Sequence, residues 1–327
     1  MTLDEYQGHL RQQGHPAETI AERLAIVQCF ARYLAAARPD QTPAAGKQAA
    51  EAFARRLVDE GRNTLGNLRA LCDYADWLGR RELHVGLIEV MDCHNALQVL
   101  ADQVEARHGR QTRDRVFAEE LPPLGASENE RCAYTQALAA RLRQHLTPSE
   151  SGAAWFQVQH GIAAEAWRDS DAADREKYRR CGAIDAFLDL KRQERDALLT
   201  RLRDEGRLWY TVEIDDEVLE FVRRDPEMEV GHREGDTIYI SKIPYNAVRY
   251  LRESDPRMKR YCACHCPLVR QAILQDQPIA ADVCHCSLGH ASHYLSGLDV
   301  EVEGEVLESV LKGDIRCRFA FHLPGRH

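Results

Sequence analysis

The chain has 327 residues, 44% of them hydrophobic and 29% charged, which is enough apolar material for two domains with packed cores. Its 43 Lys and Arg face 52 Asp and Glu, and the net charge of -9 disfavours nucleic acid as a partner over most of the surface. No apolar run is long enough to span a membrane and MTLDEYQGHLRQQGH is no secretion signal, so we expect a cytoplasmic protein without a membrane partner.

The first third predicts a helical bundle over residues 1–109. Apolar residues recur every three or four positions between Pro16 and Ala37, and the same pattern predicts helices from Ala44 to Glu60 and from Thr64 to Leu78. A fourth helix is predicted over LHVGLIEVMDCHNALQVLADQVEARHG, which ends near residue 109.

Two stretches of this bundle, LDEYQGHLRQQGHPAETIAERLAIVQCFARYL and LVDEGRNTLGNLRALCDYADWL, resemble the helical N-terminal domain with which tyrosine recombinases clasp DNA. The resemblance does not reach the catalytic part of that family, because no histidine is followed by arginine at the third position. The bundle is therefore expected to contact DNA or a partner, or to serve as a packing or homodimerisation module.

Residues 110–130 mix charges with proline and glycine and are predicted to be an interdomain linker. The chain then reads as helical from Arg131 to about Glu205. After Gly206, LWYTVEI and DTIYISKI predict strands, and VEVEGEVLESVLKGDIRCRFAFHL predicts a hairpin that turns around Gly313. We therefore expect an α+β protein, in which a mixed domain with an antiparallel sheet and a cysteine-rich metal site, residues 131–327, follows the bundle.

Alternation along the hairpin predicts that Cys317, Phe319 and Phe321 point into the core. On the preceding strand, Glu308 shares a face with valines. A buried carboxylate there must be protonated, paired or bound to a metal, unless it reaches water at the end of the hairpin.

Cysteines cluster in the last fifth of the chain, where YCACHCPLVRQAI places three within five residues. Pro267 suits the first position of a helix, with Cys266 as its N-cap, and Cys286 leads into LGHASHYLSGL, a second short helical pattern. Both clusters are thus predicted at helix N-termini, where the helix dipole lowers a thiol pKa.

Close cysteine spacing in a reducing compartment favours metal or thiol chemistry over disulfides. Zinc takes four thiolate or imidazole ligands, and the candidate ligands are Cys264, Cys266, Cys284, Cys286 and Cys317. His265, His285 and Glu308 are substitutes. Because the spacing differs from that of zinc fingers, catalytic or redox thiols and buried structural cysteines stay open as alternatives.

VCHCSLGHASHYLSGL, together with ESVLKGDIRCRF, resembles the 4-vinyl reductase-like domain of phenol-sensing bacterial regulators. The same region is similar to the 2-amino-thiazoline-4-carboxylate hydrolase family at Cys266-Pro267, at Cys284 and from Gly313 to Phe319. The sensor resemblance implies a zinc held by cysteines and a glutamate beside a small-molecule pocket, with Cys284 and Cys317 as ligands. Ser309 stands where the sensors have a further cysteine, and the glutamate is displaced to Glu305 or Glu308.

These observations predict a zinc-thiolate protein that binds and hydrolyses a small sulfur- or nitrogen-containing molecule, with zinc as cofactor. Cys264, His265 and His290 are the catalytic candidates. The substrate-binding candidates are Lys242, Tyr245 and Arg249. The alternatives are a small-molecule sensor with structural zinc and a thiol-based redox or metal-handling protein.

Overall fold

The computed structural model describes residues 2–37, 43–159, 168–298 and 302–324, which form an α+β protein dominated by helices. The predicted fold class is confirmed to this extent. The chain divides into two compact units, Met1–His94 with Leu121–Arg131, and Asn95–Glu120 with Cys132–His327. Residues 110–130, predicted as a linker, are thus shared between the units, and they contain the short helix Arg110–Val116.

Unit 1 is a helical bundle, as predicted. Its helices are α1 (Leu3–Gln12), α2 (Ala17–Ala37), α3 (Pro43–Asp59), α4 (Leu65–Trp77) and the start of α5 (Arg81–His108). Apolar spacing located α2 to α5 to within about two residues, whereas α1 was not predicted. The core includes the buried side chains of Tyr6, Leu10, Phe30, Phe53, Leu57, Leu71 and Leu87.

Unit 2 continues the helical run. Its helices are α6 (Arg110–Val116), α7 (Glu128–His145, which begins in unit 1), α8 (Pro148–Phe156), α9 (Arg168–Cys181), α10 (Ile184–Asp204), α11 (Asp216–Arg224), α12 (Ala247–Arg252), α13 (Pro256–Ala263), α14 (Arg270–Gln275) and α15 (His285–Ser292). The predicted helical stretch from 131 to 205 is confirmed where it is described, and residues 160–167 lie outside the described ranges. Within those ranges no helix combines the length and apolarity needed to cross a membrane.

A four-stranded antiparallel sheet lies in unit 2. Its strands are β1 (His232–Glu234), β2 (Thr237–Ser241), β3 (Glu303–Glu308) and β4 (Arg318–His322), arranged in the order β1-β2-β4-β3. The predicted hairpin is confirmed, because β3 and β4 pair from Glu303 opposite His322, with a bulge between Val306 and Glu308. Residues 300 and 301, the first of the predicted hairpin stretch, lie outside the described ranges.

The inward face of the sheet was also predicted correctly. Phe319 and Phe321 of β4 are buried together with Ile238 and Ile240 of β2, and Leu288 of α15 belongs to the same core cluster. Cys317, just before β4, packs against this cluster while staying partly exposed.

One predicted strand is wrong. LWYTVEI forms a tight turn in which the backbones of Trp209 and Val212 exchange two hydrogen bonds around Tyr210, whose φ is 50°. Val212 and Ile214 are buried against α11 in a second core cluster. Packing of these side chains, rather than pairing in a sheet, thus determines the conformation of the segment.

The predicted first residue of the helix at Pro267 is also wrong. Pro267 lies in a turn, and α14 begins only at Arg270, with Val269 as its N-cap. The backbone carbonyl of Cys266 accepts hydrogen bonds from the N–H groups of Val269 and Arg270. Cys266 is therefore not a helix cap, and the proline supports a turn instead.

Glu308 is paired, which was one of the states expected for it. Nε and Nη2 of Arg316 each donate a hydrogen bond to one carboxylate oxygen of Glu308, at 3.0 Å. The pair is about one-third exposed, so Glu308 meets a guanidinium near the surface and its oxygens are already occupied by that partner.

Candidate functional site

Four cysteine side chains from separate segments come together in unit 2, and we call them the thiol cluster: Cys264, Cys284, Cys286 and Cys317. Cys264 caps the end of α13, while Cys284 closes the 3₁₀ segment Ala281–Cys284 immediately before α15. Cys286 lies in the first turn of α15 and Cys317 just before β4. Helix packing and strand pairing thus gather thiols that are up to 53 residues apart, as the numbering 264 to 317 gives.

Cys284 is the centre of this cluster. Its Sγ lies 3.0 Å from the hydroxyl of Ser309, a fully buried residue of the turn after β3. Burial raises the pKa of Cys284 well above its ordinary value, and the thiols of Cys317, Cys264 and Cys286 raise it further, while Ser309 opposes part of the rise. These effects indicate that the three other thiols lie in the neighbourhood of Cys284.

The prediction of thiolates stabilised at helix N-termini is therefore wrong for Cys284. Although it precedes α15, its backbone is helical and continues the 3₁₀ segment, and desolvation outweighs the helix dipole. Burial also raises the pKa of Cys317, against which the N–H of Val310 and the Lys242 ammonium act in the opposite direction. Without a cation to compensate, these thiols stay protonated at neutral pH.

The donor set suits zinc in kind, because buried thiols that can lose their protons to a cation are the ligands that zinc prefers. The distances between the candidate ligands are less favourable. Among the residues that the structure describes, no three His, Cys, Asp or Glu side chains are grouped closely enough to hold a metal ion as they stand. A metal at the thiol cluster would therefore require the side chains to close around it.

The structure places the remaining candidate ligand differently. Cys266 is partly exposed in the turn before α14. Its carbonyl instead accepts a weak contact from the Cys264 thiol at 3.9 Å. Cys262, which opens the cysteine run, is buried in α13, where burial raises its pKa.

A buried lysine and a histidine adjoin the thiol cluster. Lys242 is 5% exposed, and its Nζ lies 2.9 Å from Nδ1 of His290 on α15. Because an ammonium can only donate, Nδ1 accepts and the ring proton resides on Nε2. Among the described residues no carboxylate pairs with Lys242, and its ammonium is near enough to Cys317 to lower the pKa of that thiol.

Two further candidates, the predicted catalytic residue His265 and the predicted substrate-binding residue Tyr245, contact each other. Nε2 of His265 donates to the carbonyl of Ile243 at 2.6 Å, and its ring meets Tyr245 edge to face. The buried guanidinium of Arg270 lies 4.3 Å from the centre of the Tyr245 ring. His265 and Tyr245 are thus held by packing, with Nε2 of His265 committed to the backbone.

Arg249 is the substrate-binding candidate that the structure leaves at the surface. It lies on α12 with about half of its side chain exposed, and its Nε is 3.5 Å from the carboxylate of Glu253. Arg270 was not predicted, yet it provides the buried guanidinium beside Tyr245.

Glu229 is a second residue that the sequence did not single out. It is 2% exposed and has a left-handed backbone, with φ of 60°. Its Oε1 accepts the N–H of Ile243 at 2.9 Å, whereas Oε2 has no hydrogen-bond partner among the described residues. In the sequence, the signal that could have identified it is an acidic residue between the apolar residues Met228 and Val230.

Comparison with known proteins adds no assignment. No protein-family model, no curated protein and no solved structure matches the chain. The resemblances to tyrosine recombinases, 4-vinyl reductase-like domains and thiazoline-carboxylate hydrolases therefore stay predictions.

Proposed function

We propose that unit 2 binds a small sulfur- or nitrogen-containing molecule beside a zinc ion held by the thiol cluster, and that it hydrolyses this molecule. The observation that carries the proposal is the gathering of four thiols from three parts of the chain around partly buried Cys284. Cys284 and Cys317 are the primary ligands, and either Cys264 or Cys286 is the third, which leaves the fourth tetrahedral position open for substrate or water.

Zinc at this position would act as a Lewis acid that polarises a bound substrate or water. The protein's own residues provide a proton donor next to it. Lys242 donates to Nδ1 of His290, so a proton that passes from Nε2 to a leaving nitrogen or sulfur atom is replaced at Nδ1 from the Lys242 ammonium. His265 supports the site through the backbone carbonyl of Ile243 rather than by moving protons.

A small-molecule sensor with structural zinc is the second candidate. It shares the thiol cluster and the ligand with the hydrolase but requires no proton donor. The contact between buried Lys242 and His290 favours the hydrolase, since it places a cation and an imidazole that can exchange a proton beside the thiol cluster. Free thiol chemistry is disfavoured because burial keeps Cys284 and Cys317 protonated.

Elemental analysis of the anaerobically purified protein, with thiol titration before and after chelation, tests the proposal. We expect near-stoichiometric zinc, and thiols that react rapidly only after a chelator has removed it. Cys284→Ser should lose the zinc. Cys72→Ser, which changes a buried cysteine of unit 1, should retain it and serves as the matched control.

A protein without zinc, whose cysteines react rapidly from the start, would contradict the proposal and favour a redox function. The His290→Gln variant separates the two zinc-dependent candidates. In a hydrolase it should lose turnover of a cyclic thioamidine while retaining zinc, whereas a sensor would show no turnover before or after the change.

A further inference from the structure

Unit 1 contains a cleft between its first two helices, and the proposed function does not use it. The cleft has a volume of about 440 Å³ and is lined by residues of α1, of α2 and of the four-residue connection 13–16 between them. Small-molecule sites have volumes of about 300–1,000 Å³, so the cleft is large enough for a small ligand.

The floor of the cleft is one apolar face of α2. Ala17, Ala21 and Ala25 recur every four residues, and Ile20 and Leu24 lie on the same face. Ile20 is 4% exposed and Leu24 packs against the core of the bundle, whereas the three alanines are exposed. Short side chains thus leave the space open, while the floor beneath it belongs to the packed core.

Two basic side chains that line the cleft have no partner. Arg11 lies in the last turn of α1, and His15 follows Gly14, whose φ of 80° belongs to the turn after that helix. Neither side chain forms a hydrogen bond or an ion pair with any described residue, in contrast to Arg23 of α2, which pairs with Asp73. The described part of the lining contains no Asp or Glu, although the chain as a whole has a net charge of -9.

The two ends of the cleft differ in charge. Arg11 and His15 lie next to the connection and hence near the start of α2, whereas Gln7 and Gln28 line the cleft further along the two helices. From Ala17 to Gln28, α2 rises by roughly 16 Å. A ligand that matches this cleft is therefore negatively charged at one end and apolar along its length.

We propose that the cleft binds a small carboxylate with an apolar body. Arg11 pairs with both carboxylate oxygens, His15 donates a further hydrogen bond, and the body lies on Ile20 and Leu24. One guanidinium supplies one permanent positive charge, which a single carboxylate balances. The site belongs to unit 1 and requires neither the zinc nor the hydrolysis proposed for unit 2.

The test uses 4-phenylbutyrate and 4-phenylbutyramide, which have the same apolar body and differ in the charge of the head group. Binding of each probe to the full-length protein is measured by isothermal titration calorimetry and saturation-transfer NMR. We expect phenylbutyrate to bind at least about fivefold more tightly than the amide. Arg11→Gln should abolish this preference, because glutamine keeps a hydrogen-bond donor but removes the charge.

Two further variants control for charge and for shape. Arg69→Gln changes an exposed arginine of α4 that does not line the cleft and has no carboxylate partner among the described residues, so it should retain the preference. Ala21→Leu fills the cleft from an exposed helical position where leucine is also a good helix former, so it should fold normally and weaken the binding of both probes. Circular dichroism and thermal unfolding of each variant confirm the fold.

Four outcomes of the binding measurements would overturn the proposal: equal binding of the two probes to the unmodified protein, no binding of either, an unchanged preference in Arg11→Gln, and unchanged binding in Ala21→Leu. Sedimentation equilibrium on the same samples tests another occupant. A dimer that Ala21→Leu dissociates would identify a second copy of the chain as the occupant and would also overturn the proposal.

A chelator separates this site from the one proposed for unit 2. The preference for phenylbutyrate should be the same before and after treatment with the chelator, whether or not the protein contained zinc. A preference that disappears together with zinc would assign the probe to the thiol cluster, which would contradict the cleft and leave the proposed function standing. A protein that shows the preference but contains no zinc would do the reverse.

Discussion

At the scale of single residues, the surroundings of the cysteines determine their chemistry more than their spacing along the chain does. Cys284 lies next to the hydroxyl of Ser309 and among other thiols, so ionisation would place negative charge in a desolvated cluster. A cation offsets that cost and a bare thiolate does not. The same cysteine run that predicted reactive thiols is therefore better suited to a metal.

Asp92 on α5 shows a second consequence of burial. Burial, followed by the neighbouring Glu89 carboxylate, raises the pKa of Asp92 to about 7. An aspartate in the unfolded chain titrates near pH 4. Between about pH 4 and about pH 7 the folded protein thus keeps a proton that the unfolded chain gives up, so the stability of unit 1 falls as the pH rises through this window.

Asp92→Asn should remove this dependence. We expect the variant to match the unmodified protein near pH 4 and to be more stable by up to about 4 kcal/mol near pH 8. Urea denaturation at both pH values, with pulse-labelled hydrogen exchange of α4 as the readout, measures the difference. The exposed Asp102→Asn on the same helix is the control and should change stability by less than about 0.5 kcal/mol. An Asp92→Asn protein that is no more stable near pH 8 would contradict the prediction.

At the scale of elements, the helices of unit 1 could be predicted and several short elements could not. The helix α2 repeats apolar residues along one face over 21 residues, whereas α1 buries only Tyr6 and Leu10 in ten. A pattern of two residues has no period to detect. The capping box of Thr2 and Glu5 was the available signal for α1.

The predictions for short segments were wrong where tertiary contacts outweighed the local conformational preference. The aromatic and β-branched residues of LWYTVEI have high strand propensity, yet Val212 packs against α11 and the chain reverses at Tyr210. Pro267 fits a turn as well as a first helical position, so the residue alone cannot distinguish them.

The packing of α8 against α15 depends on a glycine. A Cβ on Gly289 would lie 1.9 Å from the backbone carbonyl oxygen of Phe156, which cannot move without displacing α8. Gly289→Ala should therefore destabilise unit 2 by about 3 kcal/mol or more and disturb the position of His290 next to it. Differential scanning calorimetry of the full-length protein measures the loss.

The same substitution in open surroundings provides the control. A Cβ on Gly8 in α1 meets nothing within 4 Å, so Gly8→Ala should stabilise unit 1 by about 1 kcal/mol through helix propensity. If both variants had equal effects, the close approach of α8 and α15 would not be the cause.

At the scale of the whole molecule, the sequence identified the part of the chain that carries the candidate site but not all of its members. Cysteines and histidines attract attention by their chemistry, and Lys242 and His290 were both named. Their contact joins residues 48 positions apart and depends on how α15 packs near the sheet. In the sequence, Glu229 lies in a segment that carries turn signals. Its burial becomes visible only in the folded chain, as does the oxygen without a hydrogen bond.

Nucleic acid binding by the bundle is the remaining whole-molecule question. Several basic residues of unit 1 are already paired with carboxylates: Arg23 with Asp73, Lys47 with Glu89, Arg55 with Glu130, and Arg81 with Asp76. Together with the net charge of -9, this pairing leaves little positive potential for phosphates.

We therefore predict no measurable binding of duplex DNA. Fluorescence anisotropy with a labelled duplex at about 50 mM salt and about 10 μM protein tests this. Binding that weakens linearly with the logarithm of salt concentration would contradict the prediction and support the resemblance to the recombinase domain.

The strand order has a consequence for the chain during its synthesis. Because β4 lies between β2 and β3, β3 has no partner strand and β2 pairs only with β1 until the ribosome has made residues 318–322. Long-range strand pairing of this kind is slow, and the edges of the unpaired strands stay exposed until it occurs. Cys264, Cys284 and Cys286 are translated well before then, as ordinary accessible thiols. The nascent protein is therefore most vulnerable to oxidation in the interval before its last strand pairs.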